Sequence, residues 1–302
     1  MKRISLFLSL TIFAVFAAPA IAQEAASSEA LPMIRYERNP ARAAVAGAGT
    51  ATMIGGSAYA AFGSPCSAVD TAKKIEAAAS YAKWAPGLSS NSNNLVAGAS
   101  FRLNKRIALS VGYANQSLSA INIEGKDYTP KDMIIAGAVS FSLVEALSVG
   151  ASINYAKSDL YEDVSASGTA FDLMLSYRRD AFGVAGGVRS LGGKIGNSSL
   201  PTSALVSGGY SIPAGPVVLN LVADADYYFS GNWSAAAGAE ASVMSLVQVR
   251  AGYRFSSEHA VIPSHLSLGL GLTLGPATLD VTYLTASEYL DSTIMGGVRI
   301  RF

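Results

Sequence analysis

The chain has 302 residues, of which 50% are apolar and only 14% charged, with 29 glycines and a net charge of +1. Soluble domains carry about 25% charged residues, so this composition argues against an ordinary soluble fold and leaves either an unusually large core or lipid as part of the solvent, and the balanced charge excludes the basic footprint of a nucleic-acid binder. One cysteine, Cys66, and two histidines, His259 and His265, exclude an intrachain disulfide and a zinc site of the Cys/His type, and no cofactor is expected.

The N-terminus carries Lys2 and Arg3, an apolar run from Ile4 to Ala18, and the small-residue triplet Ala20-Ile21-Ala22. This predicts a secretory signal peptide over 1–22 with cleavage before Gln23. Residues 23–38 read as a periplasmic linker. Residues 39–72 are rich in alanine and glycine and too irregular for a strand.

From residue 73 onward the hydropathy alternates with period two, which puts every second side chain on one face of an extended strand. Between Ser264 and Leu274, the leucines 266, 268, 270, 272 and 274 share one face, and Ser267, Gly269, Gly271 and Thr273 the other. Such segments predict fourteen strands, at 74–84, 93–102, 106–117, 132–143, 146–157, 169–178, 181–190, 203–212, 216–228, 233–243, 246–256, 264–274, 277–287 and 292–302. Their lengths match the roughly 9 to 11 residues that a tilted strand needs to cross a bilayer. Connections after even-numbered strands are tight, as at Val144-Glu145, Met244-Ser245 and Gly275-Pro276. Those after odd-numbered strands are mostly longer, as at Leu118 to Lys131, Ser158 to Gly168 and Leu191 to Thr202. That is the phase of an outer-membrane barrel with short periplasmic turns and longer external loops. Aromatics fall at the strand ends as interfacial girdles, Trp84, Tyr155, Trp233, Tyr253 and Tyr283 at one rim, Phe101, Phe182, Tyr210 and Phe302 nearer the other. The predicted fold is therefore all-β, a transmembrane antiparallel up-and-down barrel in the cell outer membrane, spanning it many times. An arginine at Leu270 should block assembly, and one at Gly271, on the inward face, should be better tolerated.

The inward face places Asp172 and Arg178 on one strand, Asp224 and Asp226 on another, then Arg250, Arg254, Asp280, Arg299 and Arg301. These charges read either as ion pairs that hold the lumen together or as a polar constriction that contacts a solute. The chain ends Gly297-Val298-Arg299-Ile300-Arg301-Phe302. Gly297, Ile300 and Phe302 resemble the C-terminal signal through which the barrel-assembly machinery recognises its clients.

The stretch Asn39-Pro40-Ala41-Arg42 to Thr50-Ala51, followed by Ala60-Ala61-Phe62-Gly63-Ser64-Pro65-Cys66, resembles the N-terminal region of the PorV/PorQ-type outer-membrane proteins of the FadL-like superfamily. The turn departs from that pattern, with Ser64-Pro65-Cys66 where the family has Asn-Pro-Ala. The resemblance implies that 39–72 forms a hatch or plug in a fourteen-stranded barrel over 73–302, with Pro40, Arg42, Gly47, Gly49 and Pro65 as hatch positions; a periplasmic tail is the alternative. It also implies a non-enzymatic component of protein secretion or surface attachment, with a secreted or surface protein as partner. The alternative is a FadL-like channel for passive uptake of a small hydrophobic solute. An enzyme would need a base within reach of a nucleophile, and Ser256, Ser257, Glu258 and His259 read as a solvated turn. Outer-membrane lipid is the expected surrounding, with no nucleic acid.

Overall fold

A computed structural model describes residues 32–86, 92–123, 125–161, 164–192, 194–195, 198–287 and 290–302. The expected signal peptide and residues 23–31 of the expected linker lie outside the described residues. Fourteen antiparallel strands close into one barrel: β1 (Ile75–Lys83), β2 (Asn93–Arg102), β3 (Ile107–Ser117), β4 (Lys131–Val144), β5 (Leu147–Tyr161), β6 (Val164–Arg179), β7 (Phe182–Leu191), β8 (Ser203–Ala214), β9 (Val217–Tyr228), β10 (Trp233–Val243), β11 (Val247–Ser256), β12 (His265–Leu274), β13 (Ala277–Thr285) and β14 (Thr293–Arg301). Each strand pairs with its sequence neighbours, and β1 pairs with β14 to close the ring, Ala77 opposite Ile300 and Ser80 opposite Gly297. The closure reaches the last residue, because the Phe302 carbonyl accepts from Lys74 and Ile75 and the Phe302 amide donates to Ile75.

The alternation becomes inside and outside. Leu268, Leu270, Val249, Leu221 and Ile153 face outward and are exposed, whereas Ser267, Arg250, Asp224 and Ser152 on the same strands are buried within. An outer surface of aliphatic side chains, with a polar inner face, is stable only where lipid replaces water outside. Outward Tyr81, Tyr113, Tyr155, Trp233 and Tyr253 gather toward the external ends, and Phe101, Phe141, Phe182, Tyr210 and Phe302 toward the periplasmic ends.

Three expectations change. Trp84 does not belong to the girdle: it is buried inside the barrel and stacks on Tyr36 at a centroid distance of 4.5 Å. The stretch Ser158 to Gly168 is not a long loop, since β5 and β6 continue their pairing through Asp159 and Ser165 to Tyr161 and Val164. Hydropathy alternation stops there because both faces are wetted beyond the bilayer, while backbone pairing goes on. Finally, the inner face at Gly271 is not spacious. A Cβ there would lie 2.7 Å from Gln248 Oε1, 2.8 Å from Asp280 Oδ1 and 2.9 Å from Arg250 Nη1, so an arginine would break a packed ionic group.

Candidate functional site: the filled lumen

A lumen enclosed by fourteen strands is wider than its own wall side chains can fill. Here residues 33–71 fill it. Met33, Arg38, Ala41, Ala44, Val45, Ala48, Ala51, Ala58 and Cys66 are all buried. The segment is built from tight turns and two helical turns, Pro40–Ala43 and Ser67–Asp70. Asn39 caps the first, its side-chain oxygen accepting from the Ala41 amide at 3.1 Å and its amide donating to the Gly55 carbonyl at 3.0 Å. The sequence places the start of this segment at Asn39 and puts residues 23–38 in a linker. Met33 to Arg38 are in fact packed inside the barrel, because Met33 and Ile34 join an apolar cluster with wall residues and Arg35 pairs with Asp226.

Short, irregular backbone buried in a lumen must find partners for its amides and carbonyls. The wall supplies them. Asp224 of β9 accepts from the Gly49 amide at 2.9 Å, the Thr50 amide at 3.2 Å and the Thr50 hydroxyl at 2.6 Å. Glu76 of β1 accepts from the Ser57 and Ala58 amides at 2.6 and 3.0 Å. Arg178 of β6 donates to the Ala51 carbonyl at 2.8 Å and pairs with Asp70 at 2.7 Å. Arg254 of β11 donates to the Ala46 carbonyl at 3.1 Å, and Thr282 of β13 to the Pro40 carbonyl at 2.5 Å.

Glycines of the wall mark the path of the segment. Side chains at Gly297, Gly269, Gly252, Gly98 and Gly150 would run into Pro40, Ala44, Val45, Ala58 and the Pro65–Cys66 peptide respectively. Absence of a side chain is what lets the two backbones approach. By contrast Gly208 and Gly296, which face lipid, have nothing within 4 Å of a built Cβ.

Of the nine inward charges named from the sequence, Arg178 and Asp224 hold the lumen segment as described above, and six others fall into three groups. Asp226 meets Arg35 at 2.7 Å, Arg189 at 3.8 Å and Arg254 at 3.9 Å in the external half of the lumen. Arg250 is held between Glu240 at 2.6 Å and Asp280 at 2.7 Å in the periplasmic half, with Arg299 3.9 Å from Asp280. Asp172 accepts from Ser152 at 2.5 Å, from Asn154 at 3.0 Å and from the Ser190 amide at 2.7 Å. Arg301, at the periplasmic mouth, reaches Thr278 Oγ1 at 3.5 Å and joins none of these groups. Among the hatch positions, Arg42 donates to Gly47 O and Thr50 Oγ1 at 3.1 and 3.0 Å and lies 3.3 Å from Glu37. Gly47 and Gly49 take positive φ, and Gly49 packs against Val222. Pro65 approaches Gly150. Ile300 faces outward.

Sequence reasoning missed Glu76, Glu240 and Arg189, although strand alternation already placed all three inward. It also missed Arg35 and Arg38, which lie outside any periodic element and carry no such signal. Burial pushes the Cys66 thiol, which sits in the lumen segment, up to about 12. Its Sγ points at the Met174 and Ser148 carbonyls. Among the described residues, no group of three or more His, Cys, Asp or Glu side chains could hold a metal ion. His259 is exposed in an external loop, and His265 is buried with Nδ1 2.9 Å from the Pro263 carbonyl oxygen.

Under the external loops the inner face turns apolar. Trp84, Ala85, Ile262, Leu284, Leu290 and Met295 form one buried cluster, with Tyr36 and Val261 packed against it. A cavity of about 40 Å³ lies between this cluster and the Arg35, Asp226 and Arg254 side chains, and its lining includes Ile262 and Leu290 from the loops after β11 and β13.

These features define the chain as a fourteen-stranded outer-membrane β-barrel with its N-terminal segment packed in the lumen. No protein-family model and no curated protein matches the sequence. Solved structures do match the fold. The chain is similar to CymD, a monoaromatic hydrocarbon channel, at 14% identity and a TM-score of 0.65 over 87% of this chain and 97% of that one. It is similar to the toluene transporter TodX of P. putida at 12% identity and a TM-score of 0.56, covering 83% and 97% of the two chains. A FadL homologue of Pseudomonas aeruginosa gives 12% identity and a TM-score of 0.52, covering 87% and 95%. At these identities the likeness is one of fold.

Proposed function

We propose that this barrel is a passive, non-enzymatic outer-membrane channel of FadL-like type for small apolar compounds. The observation that carries the reading is the apolar cluster of Trp84, Ile262, Leu284, Leu290 and Met295, buried inside the external mouth instead of facing lipid, of which Trp84, Ile262, Leu284 and Leu290 line a small cavity together with Arg35, Asp226 and Arg254. A barrel serving only as a polar pore would have no use for an apolar inner mouth, whereas a hydrophobic solute leaving water gains about 25 cal/mol per Å² of apolar surface it buries against such side chains; the cavity of about 40 Å³ has room for no more than a water molecule or two, so passage requires the cluster to part. The similar structures named as hydrocarbon channels favour the same reading. The secretion-component reading suggested by the PorV/PorQ resemblance gains no comparable support.

Uptake of radiolabelled toluene by cells expressing the chain tests this. Uptake several-fold above a vector control, reduced by Leu284→Asp at equal surface level, is the expected result. Unchanged uptake, together with a stoichiometric envelope protein co-purifying in mild detergent, would replace the channel reading with the secretion one.

A further inference from the structure

Arg38 is 3% exposed, and among the described residues no carboxylate lies within ion-pair distance of its guanidinium, Glu37 and Asp172 acting on it only from farther off. Its guanidinium donates instead to the carbonyls of Met33 at 2.6 Å, Tyr36 at 3.0 Å and Ile34 at 3.3 Å, and stands 4.7 Å from the Phe62 ring centroid. Carbonyls and a ring face orient a cation but do not neutralise it, and a buried charge without a counter-charge is costly.

A cavity of about 30 Å³ lies beside it, lined by four arginines, Arg35, Arg38, Arg42 and Arg189. The Nε–H groups of all four are buried and have no acceptor among the described residues. The carboxylates around them are committed elsewhere. Glu37 accepts from the Arg38 and Asn39 amides and lies 3.3 Å from Arg42. Asp172 is taken up by Ser152, Asn154 and the Ser190 amide, and Asp226 by Arg35. Four arginines against these three carboxylates leave one positive charge. Extending the group to Arg254 and Asp224 adds one of each sign and leaves the same excess.

We propose that this cavity binds one monovalent anion of chloride size, held between the lumen segment and the barrel wall. The charge excess sets the valence. The volume sets the size, since about 30 Å³ is room for a water molecule or two and not for a larger acid. Arg35, Arg38 and Arg42 belong to the lumen segment and Arg189 to β7, so the anion ties the segment to the wall and stabilises its seated position.

The test uses the full barrel in detergent, purified in chloride-free isethionate buffer. Crystals soaked in sodium bromide should show an anomalous peak in the cavity beside Arg38. Replacing isethionate by chloride at equal ionic strength should raise the midpoint of the heat-dependent gel shift by about 3 °C. Both effects should vanish in Arg42→Gln, which removes the excess charge without touching the carbonyl contacts of Arg38. Arg38→Gln provides the second variant. A cavity holding water alone, with no chloride-dependent shift, overturns the proposal. A bromide peak without the shift means binding at crystal concentration only and overturns it as well.

Discussion

Thr50 of the lumen segment and Asp224 of β9 are joined side chain to side chain, hydroxyl to carboxylate at 2.6 Å, while the Asp224 oxygens also take the Gly49 and Thr50 amides and the Ser207 hydroxyl at 2.6 Å. A single wall carboxylate thus closes four donors, three of them from the segment that fills the barrel. Asp224→Ala would leave those donors buried and unpaired, at a cost of about 3 kcal/mol. The barrel wall does not depend on this carboxylate for its pairing. The expected outcome is a variant that keeps its heat-dependent gel shift but has residues 33–71 cleaved by trypsin under conditions in which the parent resists.

Gly252 faces the Val45 backbone, which any Cβ at this position would strike. Gly252→Val should therefore expel the middle of the lumen segment while β11 keeps its register. Conductance in planar bilayers measures this directly: open-channel current should rise in Gly252→Val and stay at the parental level in Gly208→Ala, whose lipid-facing Cβ meets nothing.

Cys66 offers a reporter of the same event. Buried against the Ser148 and Met174 carbonyls and with its thiol pushed up to about 12, it has almost no thiolate at neutral pH. Maleimide labelling of the native barrel at pH 7.5 should stay near background over an hour. Labelling should become complete in urea and substantial in Gly252→Val. Rapid modification of the native parent would show that the seating of Pro65–Cys66 against Gly150 is wrong.

Leu270 is 60% exposed on the lipid face of β12. An arginine at such a depth costs about 2 to 4 kcal/mol, so Leu270→Arg should lower the folded fraction recovered in outer-membrane preparations. Gly271→Arg should fail too, for a different reason: it collides with Gln248, Asp280 and Arg250. Adding Arg250→Ala to Gly271→Arg should recover assembly in part, and the same addition should do nothing for Leu270→Arg.

What the sequence by itself determined is the wall. Period-two alternation located all fourteen strands, and the parity of each strand placed Asp172, Arg178, Asp224, Asp226, Arg250, Arg254, Asp280 and Arg299 inside, because lipid on one face and a polar interior on the other leave a strictly local record. The end of that record differs from the structure at Ser158 to Gly168, where both faces meet water and alternation ceases before pairing does, and at Trp84, whose parity, continued from β1, points inward although it sits at the rim. The tertiary structure decided the contents of the barrel. Which carboxylate clasps which amide of residues 33–71, which residue Trp84 stacks on, and why no carboxylate among the described residues lies within ion-pair distance of the Arg38 guanidinium all depend on contacts between residues far apart in the chain, and an irregular segment has no period to announce them. The wall glycines are the partial exception: their places were visible in the sequence, but only the path of the lumen segment gives the reason that Gly252 and Gly269 have no side chain.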